Sequence, residues 1–252
     1  MLELRNLGKN FGGVRSVDNL TATIGKGEIF GLIGPNGSGK STTVNLICGV
    51  FSPSEGTICL NGKNLGAMPS HRRTRAGIAR TFQNIRLFGD LSVWQNLWVA
   101  CNSTEDVAKQ GLLSRWFGST KQVREEIDEM LEFADLADKG DALAANLAFG
   151  EQRRLELARA LATKPKVLLL DEPAAGMNLE EVKDLDARIR TLRDSGITVL
   201  LVEHVMELVM GVADRIAVLN FGQKIAEGSP IEIQNDPVVQ EAYLGAPEEA
   251  AA

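Results

Sequence analysis

Residues 34–42, with the sequence Gly-Pro-Asn-Gly-Ser-Gly-Lys-Ser-Thr, constrain the fold more than any other stretch. They fit the pattern GxxxxGK[ST] and lie between residues 28–33, typical of a buried strand, and residues 43–48, typical of an apolar-faced helix. The glycines let the backbone curl so that successive amides point inward, and the helix adds the positive end of its dipole. A glycine-rich turn with a fortuitous lysine is the simpler alternative, but the flanking pattern favours a cradle for polyphosphate. We expect Lys40 to reach the β and γ phosphates and Ser41 to bind magnesium, within a nucleotide-binding set of Gly34, Pro35, Asn36, Gly37, Ser38, Gly39, Lys40, Ser41 and Thr42.

Two carboxylates end a second apolar strand, residues 166–170. Strands of a parallel sheet deliver residues to the crevice at their carboxyl ends, so Asp171 is placed to hold magnesium, directly or through water. Glu172 is then a candidate base for the water that attacks the γ phosphate. A solvated acidic pair opening a turn is the alternative, and the apolar strand and Pro173 argue against it.

Composition excludes several other classes of protein. The 252 residues are 44% hydrophobic and 24% charged, which is typical of a globular chain with a substantial core. The net charge of −6 argues against broad nucleic-acid binding. Residues 71–75, His-Arg-Arg-Thr-Arg, are a local exception that fits either a solvated cationic surface or a contact for a partner or for lipid headgroups.

The cysteines and the lengths of the apolar runs indicate in which cellular compartment the chain is expected. The three cysteines form no CxxC pair, which suits reduced thiols in the cytosol. The chain does not start with a basic segment followed by an apolar one, and no run approaches the roughly 18 apolar residues that span a bilayer. We therefore expect a chain that is neither exported nor membrane-spanning by itself.

Strand and helix patterns alternate along the chain and predict an α/β fold. Residues 2–7 and 14–24 predict antiparallel strands, residues 56–60 and 78–82 two further strands, and the near-continuous apolar strands later in the chain a parallel sheet covered on both faces. A loop is expected near 111–119, two short helices at 230–244 and a frayed tail at 246–252. The predicted single domain 1–252 comprises a nucleotide-binding core with an antiparallel β subdomain (1–92 and 163–229), an inserted helical subdomain (93–162), and C-terminal helices with a tail (230–252).

Residues 147–151 carry a family resemblance, because they lie between the phosphate loop and the carboxylate strand and open a strongly helical run. They are similar to the LSGGQ signature of ATP-binding-cassette proteins, whose fold is a P-loop NTPase core. Leu147 and Gly150 are kept, whereas Ala148, Phe149 and Glu151 replace serine, glycine and glutamine. In that family the signature faces the γ phosphate held by the other subunit, so the missing serine hydroxyl implies one hydrogen bond fewer across the dimer.

Further positions follow from the same resemblance. Phe11 resembles the aromatic residue that stacks on adenine, and Gln83 the glutamine that joins Ser41 and Asp171 in the magnesium shell and senses the membrane subunit. Residues 174–178 occupy the loop that contacts the other subunit. His204 resembles the histidine that contacts the γ phosphate, although a lone histidine is more often structural.

The resemblance narrows to the ATP-binding subunits of bacterial branched-chain amino-acid importers. It rests on residues 77–88, Phe149, residues 171–176 and the ending Glu-Ala-Tyr-Leu-Gly at 241–245, while Leu179 and Val205 depart from it. It implies an ATPase with ATP and Mg²⁺ as ligands, at the cytoplasmic face of the inner membrane. The implied partners are an identical copy or a paralogous ATPase, membrane permease subunits, and indirectly a periplasmic or extracellular solute-binding protein, with no nucleic acid.

The same resemblance implies that a short helix of the membrane subunit docks near Gln83 and residues 94–98. Trp94 and Trp98 either line such a groove or, as the simpler interpretation, form subdomain core. Three alternatives to the function stay open. A soluble nucleic-acid or ribosome-associated cassette would need a tandem pair, a coiled coil or a basic arm, none of which the sequence contains. A switch that binds without hydrolysing is disfavoured by Glu172, and an import ATPase for another small solute, such as urea or amides, fits the same residues.

Overall fold

The computed structural model describes residues 1–101 and 120–244. The chain divides into two compact units, the first made of residues 1–70 and those from 169 onward, the second of residues 71–168. The predicted loop at 111–119 and the predicted frayed tail at 246–252 lie outside the described residues.

Ten strands are found in the described ranges: β1 (Leu2–Phe11), β2 (Val14–Ile24), β3 (Ile29–Ile33), β4 (Glu55–Leu60), β5 (Lys63–Asn64), β6 (Ile78–Arg80), β7 (Val167–Asp171), β8 (Thr198–Val202), β9 (Arg215–Asn220) and β10 (Gln223–Gly228). The α-helices described there are α1 (Lys40–Cys48), α2 (Ser70–Ala76), α3 (Val93–Cys101), α4 (Thr120–Phe133), α5 (Phe149–Leu161), α6 (Leu179–Asp194), α7 (Met206–Val212), α8 (Pro230–Asn235) and α9 (Pro237–Leu244). The two short C-terminal helices that the sequence predicted are therefore confirmed.

The first unit contains an antiparallel sheet in the order β2-β1-β4-β5, as the alternating runs predicted. Leu4 lies opposite Ala22 on one side and Ile58 on the other, and all three side chains are buried. Because successive residues of a strand face opposite sides of a sheet, this register keeps one apolar face directed inward.

The second sheet of this unit contains the predicted parallel strands. Its order runs β10-β9-β3-β8-β7, and β3 pairs in parallel with both β8 and β9, while β10 is antiparallel to β9. Every residue of β3, β7 and β8 is buried, as expected for strands covered on both faces. The carboxyl ends of β3, β7 and β8 lead into the phosphate loop, the carboxylate pair and His204 respectively.

The second unit is mainly helical, with a core formed between α3, α4 and α5 by Val93, Leu97, Ile127, Leu131 and Leu155, each at most 5% exposed. Trp94 packs against this core, whereas Trp98 is 46% exposed. The interpretation of both tryptophans as core therefore holds for Trp94 only. Within the described residues, no helix is long and apolar enough to cross a membrane.

Two local predictions in the second unit were incomplete. The cationic stretch 71–75 forms most of helix α2, and although Arg72 and Arg75 are exposed, Arg73 is only 1% exposed. The strand predicted over 78–82 ends at Arg80, because the following backbone groups bond to side chains of α5 instead of to a neighbouring strand.

Candidate functional site

The phosphate loop connects β3 to α1, and two of its glycines are required by close backbone approaches. Gly34 has φ +149°, and a Cβ atom there would lie 2.1 Å from the Leu219 carbonyl oxygen. Gly39 has φ +104°, and a Cβ atom there would lie 2.5 Å from the Ser16 carbonyl oxygen. Any L side chain at either position would have to displace backbone, so the curled path predicted for this loop depends on glycine.

Lys40 is the first residue of α1 and is 8% exposed. Its ammonium donates hydrogen bonds to the carbonyl oxygens of Gly34 at 2.7 Å and Pro35 at 2.9 Å, so it lies inside the curve of the loop. Burial lowers the pKa of Lys40 from its ordinary value, and the negative charges of Glu172 and Asp171 oppose that shift. The first unit thus brings together the lysine and both carboxylates predicted from distant parts of the sequence.

Asp171 is the last residue of β7 and is 5% exposed. Glu172 follows with φ +48°, a left-handed conformation that costs an ordinary residue about 1–2 kcal/mol. Its N–H donates to the Val202 carbonyl oxygen at 2.8 Å, which ties the ends of β7 and β8 together. Non-glycine residues held in such a conformation concentrate at functional sites, so the backbone supports a special role for Glu172.

His204 lies two residues beyond the end of β8 and is exposed. The backbone hydrogen bond from Glu172 to Val202 ties the main chain of Glu172 to the end of β8. His204 follows the same strand end. Both side chains therefore emerge at the carboxyl edge of the parallel sheet, where strands deliver residues to a ligand crevice.

A turn that the sequence reasoning missed supports the phosphate loop from the other side. The Gly222 N–H donates to the Ser38 carbonyl oxygen at 3.0 Å, and the Gly222 carbonyl oxygen accepts from the Asp18 N–H at 2.8 Å. Phe221, at the tip of this turn between β9 and β10, is 86% exposed with φ +46°. The Phe-Gly pair between two strands could have predicted a tight turn here. It gave no indication that this turn would hydrogen-bond to the phosphate loop.

The chemistry of the loop fits a nucleotide with magnesium. The Ser38 side-chain oxygen is buried and has no hydrogen-bond partner among the described residues, as expected for a donor held ready for a ligand oxygen. Ser41 is exposed at the start of α1. No group of three or more His, Cys, Asp or Glu side chains that could hold a metal occurs in the described ranges. Magnesium commonly keeps few protein ligands and shares its shell with phosphates and water, so one hydroxyl and one carboxylate suffice.

Phe11 ends β1 and is 41% exposed. Phe51 contacts it edge to face, with ring centroids 5.1 Å apart, and the Lys9 ammonium lies 5.0 Å from the Phe11 centroid. These contacts hold the ring on one side and leave part of it open to solvent. An open aromatic face of this kind can stack on a base.

The signature residues lie in the second unit, where Ala148 precedes α5 and Phe149 begins it. Ala148 has no side-chain acceptor for the helix N-terminus, and the Glu151 carboxylate instead accepts from the Ala148 N–H at 3.0 Å. Glu151 also pairs with Lys139 at 2.5 Å, and these two interactions, Lys139 first, lower the pKa of Glu151. Glu151, which stands where glutamine is usual, thus stabilises the start of the helix that the Ala148 side chain cannot cap.

Gln83 is exposed, on an irregular segment of the second unit, residues 81–90. The carbonyl oxygens of Phe82 and Gln83 accept hydrogen bonds from the two terminal nitrogens of Arg153, at 3.0 and 2.7 Å. The helix that begins at the signature residues therefore holds the backbone of the predicted metal-binding glutamine. No short sequence pattern predicts this interaction.

Residues 174–178, predicted to contact the other subunit, lead into α6. Ala174 is 3% exposed, and the Asn178 side-chain oxygen accepts from the N–H groups of Glu180 and Glu181 at 2.9 and 3.0 Å. The Glu181 carboxylate in turn accepts a hydrogen bond from the Asn178 N–H at 2.8 Å. This reciprocal cap fixes where the loop ends and the helix begins.

A groove of about 410 Å³ lies beside the phosphate loop in the first unit. The loop forms one wall, and Phe221, Val238 and Glu241 contribute to the others. Burial raises the pKa of Tyr243 on the same C-terminal helix, and a hydrogen bond with the backbone of Gly34 opposes that shift.

Comparisons with known proteins also indicate a nucleotide-binding protein. The sequence matches the family described as ABC transporter over residues 17–175, and the family described as branched-chain amino acid ATP-binding cassette transporter over residues 223–249. The high-affinity branched-chain amino acid transport ATP-binding protein LivG of Salmonella typhimurium is 42% identical, with 97% of this chain and 98% of that protein covered.

Two solved structures extend the likeness to three dimensions. The ADP conformation of an ATP-binding cassette of an ABC transporter superposes with a TM-score of 0.83 at 32% identity, covering 98% of this chain and 99% of that one. A dimeric post-hydrolysis state of another cassette, bound to ADP and phosphate, gives 0.78 at 25% identity, covering 91% and 99%. Both support the ATP-binding-cassette fold expected from the sequence.

Proposed function

We propose that this chain, which belongs to the ABC transporter family, is the ATP-hydrolysing subunit of an importer for branched-chain amino acids. The observation that carries the ATPase is the buried Lys40 ammonium inside the glycine loop, close enough to Asp171 and Glu172 for both charges to act on it. The solute class is supported by the LivG relative and by the match of the C-terminal residues 223–249.

ATP is held by three parts of the first unit in this proposal. Phe11 stacks on the adenine, the amides of residues 34–42 surround the phosphates, and Lys40 exchanges its bonds to Gly34 and Pro35 for bonds to the β and γ phosphates. The exchange keeps the ammonium paired throughout. Its buried position therefore prepares it to bind phosphate with little reorganisation.

Magnesium is assigned to the Ser41 hydroxyl, the Asp171 carboxylate and the Gln83 side chain, and when bound it neutralises charge on the phosphate oxygens. Asp171 is buried at a strand end and supplies the fixed negative charge of this set. Ser41 and Gln83 are exposed and supply neutral oxygens. Gln83 also reports contact with the membrane subunit in this proposal.

Hydrolysis is assigned to Glu172 and His204. The Glu172 carboxylate accepts a proton from the attacking water as the water oxygen bonds to the γ phosphorus, and ADP leaves as the bond to its terminal oxygen breaks. His204 contacts the γ phosphate and orients it for this attack. The left-handed backbone at Glu172 and its bond to Val202 hold the base in place.

The active form is a dimer with an identical copy or a close paralogue. The γ phosphate held by one copy contacts the signature residues of the other, which are Leu147, Ala148, Phe149, Gly150 and Glu151. Two such contacts repeat across a two-fold axis, so ATP favours closure as far as it binds the closed form better. The dimeric cassette seen with ADP and phosphate supports this arrangement.

The motion of the dimer drives permease subunits, and the chain acts at the cytoplasmic face of the inner membrane. A solute-binding protein delivers the amino acid to the permease from the other side, so the solute does not touch this chain. On this chain, Trp98 and Phe88 are 46% and 49% exposed and supply apolar surface on which a short permease helix can dock.

Uptake by cells of the host organism tests the proposed solute. Deleting the gene should abolish high-affinity uptake of labelled leucine, and the native chain should restore it while Glu172→Gln should not. Unchanged leucine uptake with loss of labelled urea uptake would contradict the branched-chain assignment and leave the ATPase assignment standing.

A further inference from the structure

The segment that contains Gln83 has no regular secondary structure, so its backbone groups need other partners. Helix α5, which begins at the signature residues and is called the signature helix below, supplies several of them. The partners are Arg153, Glu156 and Arg159, which are spaced three residues apart along that helix. Both the segment and the signature helix belong to the second unit.

Arg153 holds two consecutive carbonyl oxygens at once. Its two terminal nitrogens donate to Phe82 and Gln83, at 3.0 and 2.7 Å, and the residue is 9% exposed. The planar guanidinium presents its donors as a rigid fork, which a lysine ammonium does not reproduce. The fork therefore fixes the direction of the peptide that carries the Gln83 side chain.

Glu156 holds the same segment through its N–H groups. One carboxylate oxygen accepts from Phe82 at 3.4 Å and from Arg86 at 3.3 Å, while the other lies 3.7 Å from Arg153. Arg159 adds a bond to the Arg86 carbonyl oxygen at 2.6 Å. Burial raises the pKa of Glu156, and the two N–H donors followed by Arg153 and Arg159 oppose that shift.

We propose that Arg153 and Glu156 are positioning residues that make the Gln83 segment and the signature helix move as one body. The inference rests on the proposed function, in which the signature contacts the partner's nucleotide and Gln83 reaches magnesium and the membrane subunit. A displacement of the signature helix is then passed directly to Gln83. The coupling uses charged side chains against backbone, so it does not depend on which side chains the segment carries.

The test compares Arg153→Lys with Arg154→Lys in the full chain. Arg154 is the adjacent arginine of the same helix, but it donates to the Ala134 carbonyl oxygen at 2.8 Å and not to the Gln83 segment. The first readout is hydrogen–deuterium exchange at the Phe82 and Arg86 amides. The second is the Mg²⁺ concentration that gives half-maximal ATP turnover.

Arg153→Lys should speed exchange at both amides and raise the half-maximal Mg²⁺ concentration about 10-fold or more, the usual effect of losing a residue that orients a metal ligand. Arg154→Lys should leave both readouts within about twofold of the native chain. Equal changes in the two variants, or no change in Arg153→Lys, would overturn the proposal.

Gln83→Ala separates this inference from the proposed function. If Arg153 acts through Gln83, the double variant should need no more Mg²⁺ than Gln83→Ala alone. A double variant whose effect equals the product of the two single effects would refute action through Gln83. Normal Mg²⁺ dependence in Gln83→Ala would refute the proposed metal role and the coupling with it, while amide exchange would still show whether Arg153 anchors the segment.

Discussion

Alanine at Gly34 and at Gly37 should destabilise the phosphate loop to different extents, although the two glycines are three residues apart. Gly37 has φ +80° and nothing within 4 Å of a built Cβ atom, so alanine there meets only backbone strain of about 1–2 kcal/mol. At Gly34 the Cβ atom would also lie 2.1 Å from the Leu219 carbonyl oxygen and 2.7 Å from the Ser38 hydroxyl. Overpacking of that kind adds about 1–3 kcal/mol, giving a total of about 2–5 kcal/mol.

The difference in unfolding free energy between the two variants depends on fewer contributions than the value for either variant alone. Replacing glycine by alanine stiffens the unfolded chain by about 0.4–1 kcal/mol in both cases, and this contribution cancels. The remaining difference of about 1–3 kcal/mol corresponds to a Tm lower by about 2–12 °C in Gly34→Ala than in Gly37→Ala. Differential scanning calorimetry without nucleotide measures it. Equal Tm values, or a lower Tm for Gly37→Ala, would refute the assigned backbone contact between Gly34 and Leu219.

Three further predictions each concern a single residue. Lys40→Met should weaken ATP binding about 10- to 150-fold by calorimetric titration, the loss expected for hydrogen bonds to a charged group, and native affinity would count against its phosphate role. Asn178→Ala removes the cap of α6, which costs about 0.5–2 kcal/mol and lowers Tm by about 1–8 °C; an unchanged Tm would show that the cap contributes nothing. Burial raises the pKa of Cys101 to about 11, so below pH 9 less than about one thiol in a hundred is ionised, and iodoacetamide should label the more exposed Cys48 first. Labelling of all three cysteines in urea is the control, and rapid native labelling of Cys101 at pH 8 would contradict its burial.

Local sequence pattern predicted the parts of the fold in which neighbours along the chain determine the structure. The loop 34–42 specifies its own curve through glycines, and the apolar strands β3, β7 and β8 specify a sheet covered on both faces. Because parallel strands deliver their ends to one edge, the meeting of Lys40 with Glu172 could also be predicted.

Contacts between distant residues could not be predicted in this way. Arg153 and Phe82 are separated by 71 positions in the sequence. The residues around either one do not predict the hydrogen bond between them. The same holds for Gly222, which supports Ser38 through a hydrogen bond between backbone groups that involves no side chain. The sequence predicted residues 71–75 to be either a solvated cationic surface or a contact for a partner or for lipid headgroups. Arg73 is nevertheless 1% exposed, since the short helix turns this arginine inward while leaving others exposed.

The central claim is that Glu172 activates water in an ATP-bound dimer, and turnover measured beside size-exclusion chromatography tests it most directly. Glu172→Gln keeps the shape of the side chain and removes its basicity, so ATP should still bind but not be hydrolysed. We expect the native chain to hydrolyse ATP and the variant, in ATP and magnesium, to accumulate as a dimer that reverts to monomer when ATP is removed. Native turnover in Glu172→Gln, or a variant that stays monomeric while it binds ATP, would contradict the account.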